Sequence, residues 1–423
     1  MARAAVTTRV RQPLLAVAAL AGTLGVAAAA WWGTPSKLPT RELVHPAAPG
    51  ARLPRLAAHP GGSVVLSWVE AAGDAHVLKY AAFAGGGFGA AVEVARGRDW
   101  FINWIDFPSV VPIDRDFWLA HWLARRGAGK YDYDIALAVS EDGGRTWRAG
   151  PRPHASDVPA EYGFASIFAE RDGAAGIVWL DGRDYVKPSQ RHLYPGKSGN
   201  FAMRYARLER GGRVTPDRVL DGNVCTCCQT AAAVTARGPA VAYRARTEAE
   251  VRDNALVRKL HDGWSTPAPL GGEGWVIAGC PTNGPALAAR GEALLAAWFT
   301  GEGDVPRVRA AVSRDGAATF APIVELDRNA PVGRLAAAWI DEERAAVAWI
   351  GKPGEDGRAP LWVATLNRAG ALRGRAIATR VAATRDSGIP QLAVAGGELL
   401  IAVTDPAPAF GVRVLAVSAA RLP

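Results

Sequence analysis

The sequence predicts an all-β fold, a β-propeller of four-stranded antiparallel blades with seven repeat units, and three observations carry that prediction. First, seven apolar runs end alike: SVVLSW at Trp68, WLAHW at Trp122, GIVW at Trp179, AVAY at Tyr243, LLAAW at Trp298, AAVAW at Trp349 and LLIAV at Val403. These anchors are spaced by 54, 57, 64, 55, 51 and 54 residues. Second, a strand pattern opens 16 residues before each anchor, at Arg52, Asp106, Gly163, Cys227, Thr282, Gly333 and Ser387. Third, no helical segment interrupts the units, each of which reads as strand, turn, anchor strand, loop, third strand, hairpin and fourth strand. Four strands per unit, repeated without helices, are the signature of propeller blades. Six blades is the alternative count, if the first and last units merge.

Taken in chain order, residues 1–37 stand apart from a single propeller domain over residues 38–423. Arg3, Arg9 and Arg11 precede an uncharged apolar run from Pro13 to Trp32. That pattern reads as an export signal, cleaved near Ala27 to Ala30 or kept as a signal anchor. The propeller is accordingly expected outside the cytoplasm, periplasmic or extracellular, touching a membrane only through this segment. The last unit lacks a fourth strand before the chain ends, and RELVHP, from Arg41 to Pro46, is placed to supply it and close the ring. A hydrophobic content of 49% excludes wholesale disorder. The net charge of +9 draws Arg3, Arg9, Arg11 and Lys37 from before position 38, and the remaining arginines are scattered among acids. No basic stripe of the kind that binds nucleic acid is present.

The octapeptide SEDGGRTW, Ser140 to Trp147, reads as a hairpin tip, since Asp142-Gly143-Gly144 is strong turn chemistry. SRDGAATF, from Ser313 to Phe320, repeats it in weaker form. In the repeat frame both fall between third and fourth strands, where Ser140, Asp142, Gly144, Thr146 and Trp147, with Ser313 and Asp315, are expected to be structural. Such hairpins within four-stranded repeats resemble the Asp-boxes, or bacterial neuraminidase repeats, of the sialidase-like propellers. Arg52-Leu53-Pro54 resembles the family's F-R-I-P segment, whose arginine binds a substrate carboxylate. The resemblance covers the chain from about Arg52 onward and implies structural boxes and a substrate site at the blade centres.

In a propeller the starts of the inner strands and the loops after the second strands converge near the axis. That frame predicts ligand contacts from Arg52, Asp181, Arg183, Arg244, Arg246, Asn283, Arg334 and Arg385. Several arginines around one channel suit an anionic ligand, because a guanidinium grips a carboxylate or phosphate through parallel hydrogen bonds. Sialidases use a tyrosine nucleophile beside a carboxylate, with a separate acid. Tyr162 beside Glu161 and Tyr243 beside Arg244 are the candidate nucleophiles the sequence offers, with Asp106 or Asp181 as acid. The function expected is therefore recognition of an anionic small molecule, a glycan or a cell-envelope protein, with exo-glycosidase activity of sialidase type as the alternative.

Cys225, Cys227 and Cys228 form C-T-C-C at one repeat start, and Cys280 lies two residues before the next. Adjacent blades bring such starts together, so the four cysteines are expected to cluster. Disulfides are the reading favoured for an exported chain, one of them joining Cys280 to the triplet. A thiolate site for Zn or Cu is the alternative, making the chain a thiol-metal-binding protein. No other cofactor is expected.

Overall fold

In the computed structural model of the chain, residues 36–186, 199–406 and 409–423 are described. The export segment proposed for residues 1–37 falls, through residue 35, outside them. Residues Ser36–Pro423 form one compact unit. It is a seven-bladed propeller: seven antiparallel sheets follow one another along the chain, and no sheet takes strands from two neighbouring units except the last. Six blades are thereby ruled out. Among the described residues no helix is long and apolar enough to cross a membrane.

The inner strands of blades 1 to 7 are Arg52–Ala58, Ser109–Pro112, Tyr162–Ala169, Ala231–Thr235, Ala286–Arg290, Gly333–Trp339 and Gln391–Ala395. Each pairs with the anchor strand after it, and the sheets continue outward in chain order. Blade 7 is completed from the other end of the chain. Arg41–Glu42 pairs antiparallel with Gly411–Ser418, Arg41 opposite Ala416 and Glu42 opposite Leu415. The Arg41 guanidinium also meets Glu398 across the same blade.

Every anchor faces the blade before it. Seven hydrophobic clusters lie at the seven blade junctions, and Trp68, Trp122, Trp179, Tyr243, Trp298, Trp349 and Val403 each belong to the junction with the preceding blade. A buried indole N–H needs an acceptor, because leaving it unpaired costs the desolvation of the group. In blades 1 and 3 the acceptor stands two residues on, where the strand's period of two keeps it on the same face. Trp68 donates to Glu70 at 2.6 Å and Trp179 to Asp181 at 2.8 Å. In blades 4, 5 and 6 the previous unit supplies it: Tyr243 donates to Asp221, Trp298 to Glu273 and Trp349 to Asp327. Trp122 differs, stacking on Trp100 with ring centres 5.3 Å apart.

Inner strands enter in two ways, which explains where the sequence frame slipped. Blades 1, 3 and 6 begin close to the expected residue and carry a bulge between Arg52 and Arg55, Gly163 and Ser166, and Gly333 and Ala336. In blades 2, 4, 5 and 7 the ladder starts three or four residues later than expected. Asp106, Cys227, Thr282 and Ser387 therefore sit in approach segments rather than in strands. At each bulge one residue takes a left-handed conformation: Leu53, Phe164 and Arg334 have φ of 57°, 54° and 58°. Its N–H is then accepted by a side chain of the preceding blade or its lead-in, Thr404, Asp106 and Asn283 respectively.

The hairpin tips lie on the opposite face from these approach segments and dock on the preceding blade. Within SEDGGRTW, Asp142 accepts from Ser140 Oγ at 2.8 Å, Thr146 N at 2.9 Å and Thr146 Oγ1 at 2.7 Å. SRDGAATF repeats the pattern about Asp315. Gly144, at φ 85°, turns its carbonyl to the Tyr80 hydroxyl of blade 1, and Trp147 meets the Tyr80 ring edge-on at 6.3 Å. Hydrogen bonds from Thr146 and Ser140 pull the Asp142 carboxyl down to about 2 from 3.8. The stabilisation tied to that charge is full above the unfolded value and is lost as pH falls through about 2. Asp142→Asn is expected to lower stability at pH 7, with the gap to wild type closing in urea titrations repeated at pH 4 and pH 2. A gap independent of pH would show that the carboxylate charge does not hold this turn.

Candidate ligand-binding site

The connection from blade 1 to blade 2 decides what the axial end looks like. Its sequence, WFINWIDF from Trp100 to Phe107, carries six large apolar side chains, too many to leave in water. They are laid across the axis instead. Ile105 packs with Phe164 of blade 3 and Ile389 ahead of blade 7. Trp104 takes the Arg334 guanidinium of blade 6 over its ring at 4.7 Å, with Arg385 at 6.0 Å. Phe107 lies under Arg55 of blade 1 at 5.3 Å. The open axial pocket expected from the repeat frame is thus filled by an aromatic plug.

Beside the plug a cleft of about 340 Å³ remains, within the range of small-ligand sites. It is lined by Arg52 and Leu53 from blade 1, Phe101 to Trp104 from the plug, Lys130 and Tyr131 from blade 2, and Asp386 and Phe410 from blade 7. The Arg52 guanidinium lies 4.9 Å from the Phe410 ring centre and Lys130 Nζ 5.2 Å from that of Tyr131. Among the described residues neither cation has a carboxylate partner. Four aromatic rings, two cations without an ion-pair partner and the Asp386 carboxylate therefore face one small space. A larger hollow on the hairpin face, about 540 Å³, is also rich in basic residues. There Arg207, Arg237 and Lys259 are neutralised by Asp172, Glu292 and Glu170.

Behind Phe101 lies a second group. Phe101 stacks on Tyr133 with centres 4.4 Å apart, and the Tyr133 hydroxyl donates to Glu161 Oε1 at 2.8 Å. A Cβ at Gly163 would overlap Asp106 Oδ2 and touch the Tyr133 ring, so glycine is what lets these groups converge. Burial pushes the Asp106 carboxyl up to about 8 and Glu161 up to about 7, and it raises the Tyr133 phenol. Asp106 and Glu161 are thus brought together as the sequence reading paired them, but with Tyr133 as their tyrosine. Tyr162 is engaged elsewhere: its hydroxyl donates to the Val158 carbonyl at 2.8 Å and its ring stacks on His154 at 4.1 Å.

The other arginine candidates are committed to the protein, except Arg385, which is exposed and only approaches the Trp104 ring. Arg244, 1% exposed, gives its guanidinium hydrogens to the carbonyls of Asn283, Arg252 and Phe299. Arg246 pairs with Glu250, and Arg183 with Asp181, the acceptor of Trp179. Asn283 spans two blades, accepting from Arg334 N at 2.6 Å and donating to the Val332 carbonyl at 3.1 Å. Arg334 is buried, donates to the Thr384 carbonyl at 2.5 Å, and has its pKa lowered to about 10 by burial and by Arg385. Of the eight proposed ligand contacts only Arg52 lines the cleft. Repeat position identified it, whereas Phe101, Trp104, Lys130, Tyr131 and Phe410 come from connections whose clustered aromatics were the available signal.

The cysteines do converge. Cys227 and Cys280 form a disulfide with Cα atoms 6.0 Å apart, joining the approach segments of blades 4 and 5. Cys225 and Cys228 are free and buried, their sulfurs 3.8 Å apart. The hydrogen bond from Cys228 and the cation of Arg252 lower the Cys225 thiol, while burial raises Cys228.

No family model matches the chain, and no curated protein does. Solved structures match by architecture. Polysaccharide lyase Uly1 aligns with a TM-score of 0.53 at 9% identity, over 89% of this chain and 92% of the lyase. The PL25 ulvan lyase solved with -[GlcA(1-4)Rha3S]- aligns with a TM-score of 0.53 at 12% identity, over 89% of this chain and 96% of that one. A Hadza microbial sialidase, Hz136, aligns at 14% identity with a TM-score of 0.43, over 71% of this chain. The present chain covers 63% of that sialidase, less than two thirds of its length. At such identities the two lyases share a propeller fold with this chain, and no more follows from the match.

Asp106 has a sister residue that discriminates between its roles. It accepts the Phe164 N–H as Asn283 accepts the Arg334 N–H, and an amide performs that task in the second case. Asp106→Asn is therefore expected to fold normally, whereas Asp106→Ala orphans a buried N–H at a cost of about 1–3 kcal/mol. A carboxyl with a raised folded pKa stabilises fully below its unfolded value and loses that contribution as pH rises through the folded value. Wild type should accordingly lose stability relative to Asp106→Asn between pH 4 and pH 8 in denaturant titrations. A flat difference would mean that Asp106 is not the buried neutral acid described.

Proposed function

We propose that the cleft binds an acidic saccharide unit and that the propeller works outside the cytoplasm as a carbohydrate-recognition module. The observation that carries this reading is the pairing of two cations that form no ion pair, Arg52 and Lys130, with the rings of Phe101, Trp104, Tyr131 and Phe410 in a cleft holding one carboxylate, Asp386. Aromatic faces suit the apolar faces of a sugar ring, and a guanidinium suits a carboxylate or sulfate through two parallel hydrogen bonds. A fold shared with a polysaccharide lyase solved with -[GlcA(1-4)Rha3S]- is compatible with it. In this reading SEDGGRTW and SRDGAATF are Asp-boxes, and the Cys227–Cys280 bond suits an oxidising compartment. Calorimetry with a uronic-acid oligosaccharide and its carboxyl-reduced counterpart tests the proposal. Arg52→Ala and Lys130→Ala should each weaken the acidic ligand by about tenfold or more, the worth of one charged hydrogen bond. Equal affinity for the neutral counterpart, or an unimpaired double variant, would refute it.

One observation favours a second reading. The Tyr133–Glu161 hydrogen bond, with Asp106 beside it, supplies the tyrosine, carboxylate and acid that a sialidase-type hydrolysis needs. Phe101 covers the tyrosine, so turnover would require that ring to swing away. Phe101→Ala should then raise hydrolysis of a chromogenic sialoside, and adding Tyr133→Phe should abolish it. No turnover by either wild type or Phe101→Ala leaves the binding module.

A further inference from the structure

The cysteine cluster is built in layers. Cys225 and Cys228 are buried at 0% and 1% exposure, Cys227 is half-buried and Cys280 is exposed. The Sγ atoms of Cys225, Cys227 and Cys228 all lie within 4.8 Å of one another. Cys225 stands 3.8 Å from Cys227 and 3.8 Å from Cys228. Sulfurs arranged tetrahedrally around an ion at about 2.3 Å are about 3.8 Å apart, so these separations already match the edges of a thiolate cage. Cys280, bonded to Cys227, adds the fourth sulfur at the same place.

The surroundings suit that use. Four thiolates around a divalent cation leave a net negative charge, and more remains around a monovalent one. Arg252 Nη1 donates to Cys225 Sγ at 3.3 Å and is itself fixed by Glu250. The Arg244 cation and the Asn283 backbone N–H act on the Cys228 sulfur. Such outer donors orient thiolate ligands and offset their charge. A pair of thiols needed only for packing would not require a buried arginine hydrogen-bonded to sulfur.

We propose that C-T-C-C together with Cys280 is a binding site for one thiophilic d10 cation, Zn²⁺ or Cu⁺, and that the Cys227–Cys280 disulfide closes it. Opening needs an external dithiol or phosphine. The reductant delivers two electrons to the S–S bond, which breaks; each sulfur takes one proton, and the reductant leaves oxidised. Exposed Cys280 is the sulfur an incoming thiol reaches first. The ion then displaces protons from the cysteines as the metal–sulfur bonds form. Geometry selects the class of ion, since soft sulfur donors favour Zn²⁺ and Cu⁺ over hard cations.

The test uses the full chain in oxidised and phosphine-reduced forms, each offered Zn²⁺ or Cu⁺ anaerobically, desalted against a competing chelator and analysed for metal per chain. The reduced form should retain about one ion and the oxidised form less than a tenth of that. In the loaded reduced chain all four cysteines should resist alkylation, read peptide by peptide, which requires no substitution. Cys225→Ser should weaken retention at least tenfold, with near-ultraviolet circular dichroism confirming the fold. Retention of neither ion by the folded reduced chain, equal retention by the oxidised form, or free alkylation of Cys225 and Cys228 in the loaded chain would each overturn the proposal. Any of these leaves the saccharide reading untouched, because that cleft lies between blades 7 and 2.

Discussion

The architecture hangs on one need, that an indole or phenol buried between two sheets must find an acceptor for its hydrogen. Five of the seven anchors meet it with a carboxylate. That solution creates a further need, since a buried carboxylate is costly unless it is paired. Lys79 answers Glu70, Arg183 and Arg204 answer Asp181, and Arg309 answers Glu273. Three arginines are thereby explained as counter-ions to the anchors' carboxylates rather than as ligand-gripping groups. Arg52 and Lys130 stand apart from that set, since each lies over an aromatic ring of the cleft and forms no ion pair.

The plug links that scaffold to the cleft. Phe101 is at once a wall of the cleft and the cover over Tyr133, so one ring separates the solvent-facing cations from the buried acids. Trp104 ties the same connection to blade 6 by holding Arg334, whose own backbone is strained and latched by Asn283. A change in the plug would reach the cleft and the acid pair together. The cysteine site stands on different connections, with Asn283, which latches Arg334 and faces Cys228, lying between the two.

Much of the fold was legible because an apolar run ends in a large apolar anchor, five times tryptophan, once in every unit. A large apolar side chain followed by a polar position, recurring at 51 to 64 residues, can be read without knowing its partners. Ring closure by Arg41–Glu42 was equally readable from the missing strand of the last unit. The inner-strand starts were read less well, because polar residues such as Asp106 and Ser387 belong to approach segments whose hydrogen bonds are made sideways to other blades or within the lead-in. Arg244 misled for a related reason: its repeat position is axial, yet three carbonyls from its neighbours consume it. Tyr133 carries no local mark of its pairing with Glu161, which arises only when two blades meet.

The strand that completes blade 7 also sets an order of events. Arg41 pairs with Ala416, so the first strand of the last sheet leaves the ribosome six blades ahead of its partners. Blades 1 to 6 are meanders of consecutive strands and can form as the chain lengthens, each docking its anchor on the one before. Trp68 of blade 1, however, must wait for Leu400 and Val414 of blade 7 before its face of the junction is covered. Until then both rims of an unfinished arc carry apolar surface, the state in which two arcs can join each other instead of closing. The brief strand of two residues is therefore a clasp, and its late pairing with blade 7 is the step at which one molecule is chosen over two.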